Sequence, residues 1–156
     1  MRKLISKIWQ LLPCGLRVFL VRLTQERFTA SVVVVVFNQR RQVLLLDHWL
    51  RAGNAGWALP GGFICKNEQP LEALRREIFE ETGLKTSNER LLAVRTRSRH
   101  IEIVFSAESF NEPKVDGKEI RRAMWFSADE IPVSLSQSQK DFIRAALNLK
   151  SSQLAS

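Results

Sequence analysis

The spacing of apolar residues changes several times along the chain. Leu4, Ile5, Ile8, Leu11, Leu12, Leu16, Phe19, Leu20 and Leu23 recur at intervals of three and four, which marks one face of a helix. Pro13 and Gly15 interrupt this run, so two short helices are expected rather than one straight one. Between Arg27 and Phe37 the pattern becomes a β-branched block, Val32 to Val36, which reads as a buried strand. Asn38 to Arg41 is a polar turn, and Val43 to Asp47 is a second strand expected to return as a hairpin. Residues 51–56 read as a loop, and Trp57 to Gly62 as a rigid turn.

Period 3.6 returns after Pro70, a residue suited to the first helical position because it lacks the N–H that would go unpaired there. Glu72 favours the helix dipole, Leu71, Leu74 and Ile78 form the apolar stripe, and Gly83 suits a left-handed C-terminus. The spacing predicts a helix over Pro70–Thr82. Strands are expected over Leu91–Arg97, Ile101–Phe110 and Ile120–Phe126, with a loop at Asn111–Lys118. Ser127 and Glu130 fit a capped helical turn, and Gln137–Leu149 fits a final amphipathic helix. Strands flank helices without regular alternation, so the expected class is α+β, or an α/β/α sandwich with a mixed sheet.

Charge adds an asymmetry. The chain has 156 residues and a net charge of +8. Residues 1–27 hold Arg2, Lys3, Lys7, Arg17, Arg22 and Arg27 against the single acid Glu26, so the excess is mainly N-terminal. A basic surface attracts phosphates, nucleic acid or anionic lipid, and charge alone does not choose among them. Gln10, Pro13 and Arg17 break the apolar stretch before the roughly 20 residues that a membrane span needs. Gln10 and Arg17 also spoil a signal-peptide core. Two readings of residues 1–24 remain: a helix packed on the domain or on a second subunit, and a basic amphipathic helix on a membrane surface. Cys14 and Cys65 have no metal-ligand spacing and are expected to be small core residues of a reduced, cytoplasmic protein, with membrane association through residues 1–24 as the alternative.

The chemistry concentrates on the central helix. Glu77, Glu80 and Glu81 occupy neighbouring positions of one face, where three carboxylates repel one another unless a cation offsets the repulsion. Mg²⁺ prefers such oxygens. Arg76, four residues before Glu80, can orient its carboxylate. The paired glycines Gly61 and Gly62 let backbone approach an ion or phosphate closely, and Glu68 adds a fourth carboxylate.

Gly62, Glu68, Arg76-Glu77-Ile78, Glu80-Glu81 and Gly83-Leu84, with the gaps between them, resemble the Nudix box of the Nudix hydrolases at every specified position. The lead-in Trp57-Ala58-Leu59-Pro60-Gly61 and the later Met124-to-Pro132 segment are similar to the family's as well. The resemblance implies a Nudix fold and hydrolysis of a diphosphate linkage in a nucleoside diphosphate derivative: a nucleotide sugar, ADP-ribose or a nucleoside triphosphate. It also implies Mg²⁺ or Mn²⁺ held by Glu77, Glu80 and Glu81, with the Gly61 carbonyl and Glu68 as further ligands; Glu119 reads as an additional acid beside the metals or, more often, a solvated loop residue. Which glutamate serves as base stays open, because relatives differ. An enzyme acting on RNA 5′ ends, and a noncatalytic nucleotide-binding regulatory module, are the alternatives. The substrate also stays open. The proline and tyrosine that mark ADP-ribose- and dinucleoside-polyphosphate-cleaving relatives are missing, since no proline lies between Pro70 and Pro113 and the chain has no tyrosine.

The expected division is a basic amphipathic helical segment over 1–26, a Nudix domain over 27–149 and a tail over 150–156. Partners implied are a small nucleotide and a second copy in a homodimer, with nucleic acid weighed below them. Arg51 could meet a phosphate and Trp57 a base, although a tryptophan before Pro-Gly-Gly is more often packing. Arg95, Arg97 and Arg99 alternate and could form a phosphate-binding strip, or else a solvated face. His48 and His100 have no partner in the sequence and read as structural or exposed.

Overall fold

The computed structural model describes residues 9–10, 12–49, 56–115 and 119–154. Its elements are α1 (Cys14–Thr24), β1 (Thr29–Phe37), β2 (Val43–His48), β3 (Trp57–Ala58), β4 (Gly61–Phe63), α2 (Pro70–Thr82), β5 (Ser87–Arg97), β6 (His100–Glu108), β7 (Ile120–Phe126) and α3 (Gln137–Leu154).

The seven strands form one mixed sheet, with β3-β2-β1-β6-β5 as its main path, β4 added to β1 and β7 added to β2. β1 and β6 run parallel, in register from Thr29–His100 to Phe37–Glu108. Every other pairing is antiparallel. The expected β1–β2 hairpin is reduced to one pair, Phe37 with Val43. Beyond it the strands part, β4 takes the free edge of β1, and β2 pairs along its length with β7. The turn expected at Trp57–Gly62 is instead two short strands, one on β2 and one on β1.

The valine block explains the layering. Alternate β1 side chains point to opposite faces. Val32, Val34 and Val36 pack with Leu74 and Ile78 of α2, whereas Val35 and Phe37 pack with Ile143 and Ala146 of α3. The sheet is therefore covered on both faces, giving the α/β/α sandwich. Leu74 and Ile78 are fully buried, and each such side chain contributes about 2 kcal/mol by leaving water. α3 runs to Leu154, so most of the expected tail is helical. The segment after Ser127 is a turn in which Glu130 N–H donates to the Ser127 carbonyl, with no helix.

α1 begins directly after Pro13, as the sequence suggested, but Gly15 lies within it. None of its residues is buried. Cys14 and Cys65 are both exposed, against the expectation of core positions: one opens α1 and the other lies in the loop before α2. No described helix is long and apolar enough to cross a membrane.

Candidate active site

α2 is built as its sequence dictates. Pro70 opens it, Gln69 and Glu72 form a reciprocal capping box, and Gly83 closes it in the left-handed region, its N–H donating to Phe79 O at 2.8 Å. The apolar stripe fastens one side to the sheet, so the acidic side is presented on a rigid element.

Arg76 organises that side. Its Nε and Nη2 donate to the two oxygens of Glu68 at 2.7 and 2.9 Å. Nη1 donates to Glu77 at 2.8 Å and to Glu80 at 3.2 Å, and Nη2 also reaches the Phe63 carbonyl at 3.1 Å. The Glu80 contact that the sequence suggested forms, and the bidentate fork goes to Glu68, because a carboxylate beyond the helix start can face the guanidinium squarely. The Arg76 guanidinium, together with the Cys65 N–H, holds the Glu68 carboxyl down to about 2. The same pairing pushes Arg76 further up.

The glycines set the other wall. Gly61 N–H donates to Glu81 Oε2 at 3.1 Å. Gly61 has φ +149°, where side chains are rarely tolerated, and a Cβ there would stand 2.1 Å from the Val32 carbonyl oxygen. A Cβ at Gly62 would fall 2.3 Å from the Glu77 carboxylate. Glu77 thus occupies the space that a side chain at position 62 would fill. Pairing of β4 with β1 holds Gly61 and Gly62 beside α2.

Glu68, Glu77, Glu80 and Glu81 are therefore gathered around Arg76 and the β4 glycines. Their oxygens are the donor set a hard divalent cation takes. Among the described residues no three His, Cys, Asp or Glu side chains converge on one point, and Arg76 engages three of these four acids. Glu119 is not part of the cluster; it is exposed before β7, where its carbonyl accepts from Trp49 N–H. Arg51 lies outside the described residues.

Beside the β4 glycines opens a cleft of about 240 Å³, lined by Ser31, Val33, Gly62, Phe63, His100 and Glu102 among others. Thr29 Oγ1 and Ser31 Oγ hydrogen-bond the two ring nitrogens of His100 at 2.7 and 2.8 Å, and Phe63 meets the imidazole edge-on at 5.7 Å. The sequence singled out none of these partners, because the β1–β6 pairing that joins them spans the middle of the chain. A second hollow, about 270 Å³ between Ile131 and α3, holds none of the four glutamates.

Trp57 packs edge-on against Phe126 at 4.8 Å, with the Arg122 guanidinium over its ring at 5.2 Å. Arg122 is in turn held by the buried Asp47 at 2.8 Å, a pair the sequence did not announce. The arginine strip does not form. Arg95 pairs with Glu102 and Ser138 and stacks on Phe142, while Arg99 sits in the turn and pairs with Glu26.

A NUDIX domain family matches residues 27–146. The chain is 32% identical over 131 residues to an RNA pyrophosphohydrolase of Shewanella woodyi, covering 83% of this chain and 61% of that protein. It thus spans about three fifths of that relative's length. Among solved structures, a MutT NUDIX hydrolase from Burkholderia pseudomallei superposes with TM-score 0.67 at 23% identity, over 77% of this chain and 98% of the other. A UDP-X diphosphatase superposes with TM-score 0.67 at 25% identity, over 97% and 79%. On the family match and the fold, this chain belongs to the Nudix family.

Proposed function

We propose that the chain is a divalent-metal-dependent hydrolase of a diphosphate linkage in a nucleoside-linked substrate. The observation that carries this reading is the gathering of Glu68, Glu77, Glu80 and Glu81 around Arg76 and the β4 glycines Gly61 and Gly62, beside an open cleft.

Glu77, Glu80 and Glu81 would hold Mg²⁺ or Mn²⁺, with Glu68 and the Gly61 carbonyl adjacent. When bound, the cation supplies neutralisation of the diphosphate and a water of lowered pKa. Arg76 would keep the carboxylates from splaying apart, and the cation would draw Glu77, Glu80 and Glu81 together. Gly62, by leaving room for the Glu77 carboxylate, sets its depth against the loop. A glutamate of the cluster would take the water's proton; the arrangement favours none of them over the others. The cleft beside Phe63 and His100 would receive the nucleoside, with Phe63 offering an exposed ring face.

The test is phosphate and nucleotide release from a panel of nucleotide sugars, ADP-ribose and nucleoside triphosphates, with Mg²⁺, Mn²⁺ or chelator. Metal-dependent release from one class supports the reading. Nucleotide binding without turnover under every metal points to a regulatory module instead.

A second reading, removal of pyrophosphate from RNA 5′ ends, is favoured by the similarity to an RNA pyrophosphohydrolase. Adding 5′-triphosphorylated RNA to the panel separates the two, since a small-nucleotide enzyme turns it over poorly.

A further inference from the structure

α1 is the element that the proposed chemistry leaves unused. Leu16, Phe19, Leu20 and Leu23 are 44%, 56%, 37% and 65% exposed. Their spacing of three, one and three places them on one side of an α-helix. Arg17 and Arg22 flank that side to left and right, and the side opposite carries Val18 and Val21, 45% and 40% exposed, with Thr24. Before α1, Trp9 is also exposed, at 39%. Four apolar side chains in a row on a helix with no buried residue are an unpartnered face.

The charge around it chooses the occupant. Within residues 1–27 six basic side chains face one acid, and that acid, Glu26, is paired to Arg99 at 2.9 Å. A second copy would bring the same positive segment against this one, which disfavours self-association through it. An anionic bilayer suits the apolar row and its flanking charges: acyl chains receive the leucines and Phe19, while headgroup phosphates receive the arginines, whose stems can lie along the helix. α1 has 11 residues, roughly 16 Å at 1.5 Å per residue, too short to cross a bilayer and suited to lying in its surface.

We infer that α1 is a peripheral anchor that docks its Leu16–Phe19–Leu20–Leu23 face into the surface of an anionic phospholipid bilayer.

Co-sedimentation of the full chain with vesicles tests this, comparing phosphatidylcholine alone with phosphatidylcholine containing phosphatidylglycerol. The expected result is sedimentation with the anionic vesicles alone, weakening as salt is raised. Phe19→Glu and Leu23→Glu each reduce the bound fraction about tenfold or more, and Arg17→Glu with Arg22→Glu does the same. All these positions are outside the core, so circular dichroism and nucleotide turnover without vesicles serve as controls and remain as in the parent protein. Absence of sedimentation with anionic vesicles overturns the inference, as does equal sedimentation of parent and Phe19→Glu protein. Sedimentation velocity supplies the remaining arm. A dimer that Phe19→Glu dissolves, in protein that ignores vesicles, assigns the face to a second copy and overturns the bilayer.

Discussion

A methyl group on Gly62 would stand 2.3 Å from the carboxylate of Glu77. The two residues share one small volume, and the carboxylate is the end of a flexible side chain. Gly62→Ala is therefore expected to displace Glu77 rather than the backbone. Activity should fall about a hundredfold while stability drops by no more than about 1 kcal/mol. Turnover alongside urea unfolding measures both.

Gly61→Ala should behave in the opposite way. The obstacle there is the Val32 carbonyl at 2.1 Å, which is backbone, and φ is +149°. Strand β4 has to shift, and the expected cost is roughly 3 kcal/mol or more. Denaturant midpoints of the two alanine variants, compared side by side, check this contrast.

Glu80→Gln and Glu81→Gln keep the size of each side chain and remove its charge. Turnover is expected to fall about a hundredfold or more in each, with the melting temperature nearly unchanged. Near-parental rates in both variants would take these residues out of the proposed machinery.

Arg76→Met tests the clamp. It leaves four acids near one another without the cation that now holds three of them. Metal titration should show weaker and less ordered binding, and turnover should fall about tenfold or more. Excess metal should recover part of the loss, because a divalent ion opposes the same repulsion.

pH dependence has a separate source in the Arg75–Glu89 pair, whose guanidinium donates at 2.9 and 3.2 Å. Arg75 holds the Glu89 carboxyl below its ordinary value of 4.5. A depressed carboxylate stabilises the folded state above its unfolded pKa, and the contribution is lost as pH falls through the folded one. Parent and Glu89→Gln protein should therefore differ in urea midpoint at pH 7 and converge as the solution is acidified below about 4.5. A constant gap at all pH values would contradict the assignment.

How much of this was legible depends on how local each feature is. Helix α2 was read from Pro70 to Thr82 because its opening proline, apolar stripe and glycine stop are all local to it. Glu77, Glu80 and Glu81 came with it, and Glu68 with the loop just before it. The strand partners did not. Val43–Asp47 reads as a hairpin partner of Val32–Val36, yet β2 spends its edge on β7, more than seventy residues on. β3 and β4 are too short to show a period, and only their neighbours make them strands. His100 looked unpartnered because Thr29 and Ser31 lie far upstream. Cys14 and Cys65 were placed inside on the general habit of cysteine, which says nothing about the position of a particular loop.

The parallel β1–β6 pairing carries a consequence for how the molecule assembles. Thr29 and His100, the first pair of that register, are 71 residues apart. Contacts of this span are slow to form, because the intervening loop must close before they repay its lost entropy. Helix α2, whose bonds are local, can form in about a microsecond. During folding the chain thus acquires its row of acids before it acquires the wall of the cleft beside them. A refolding experiment would see helix signal return ahead of any capacity to bind a nucleotide.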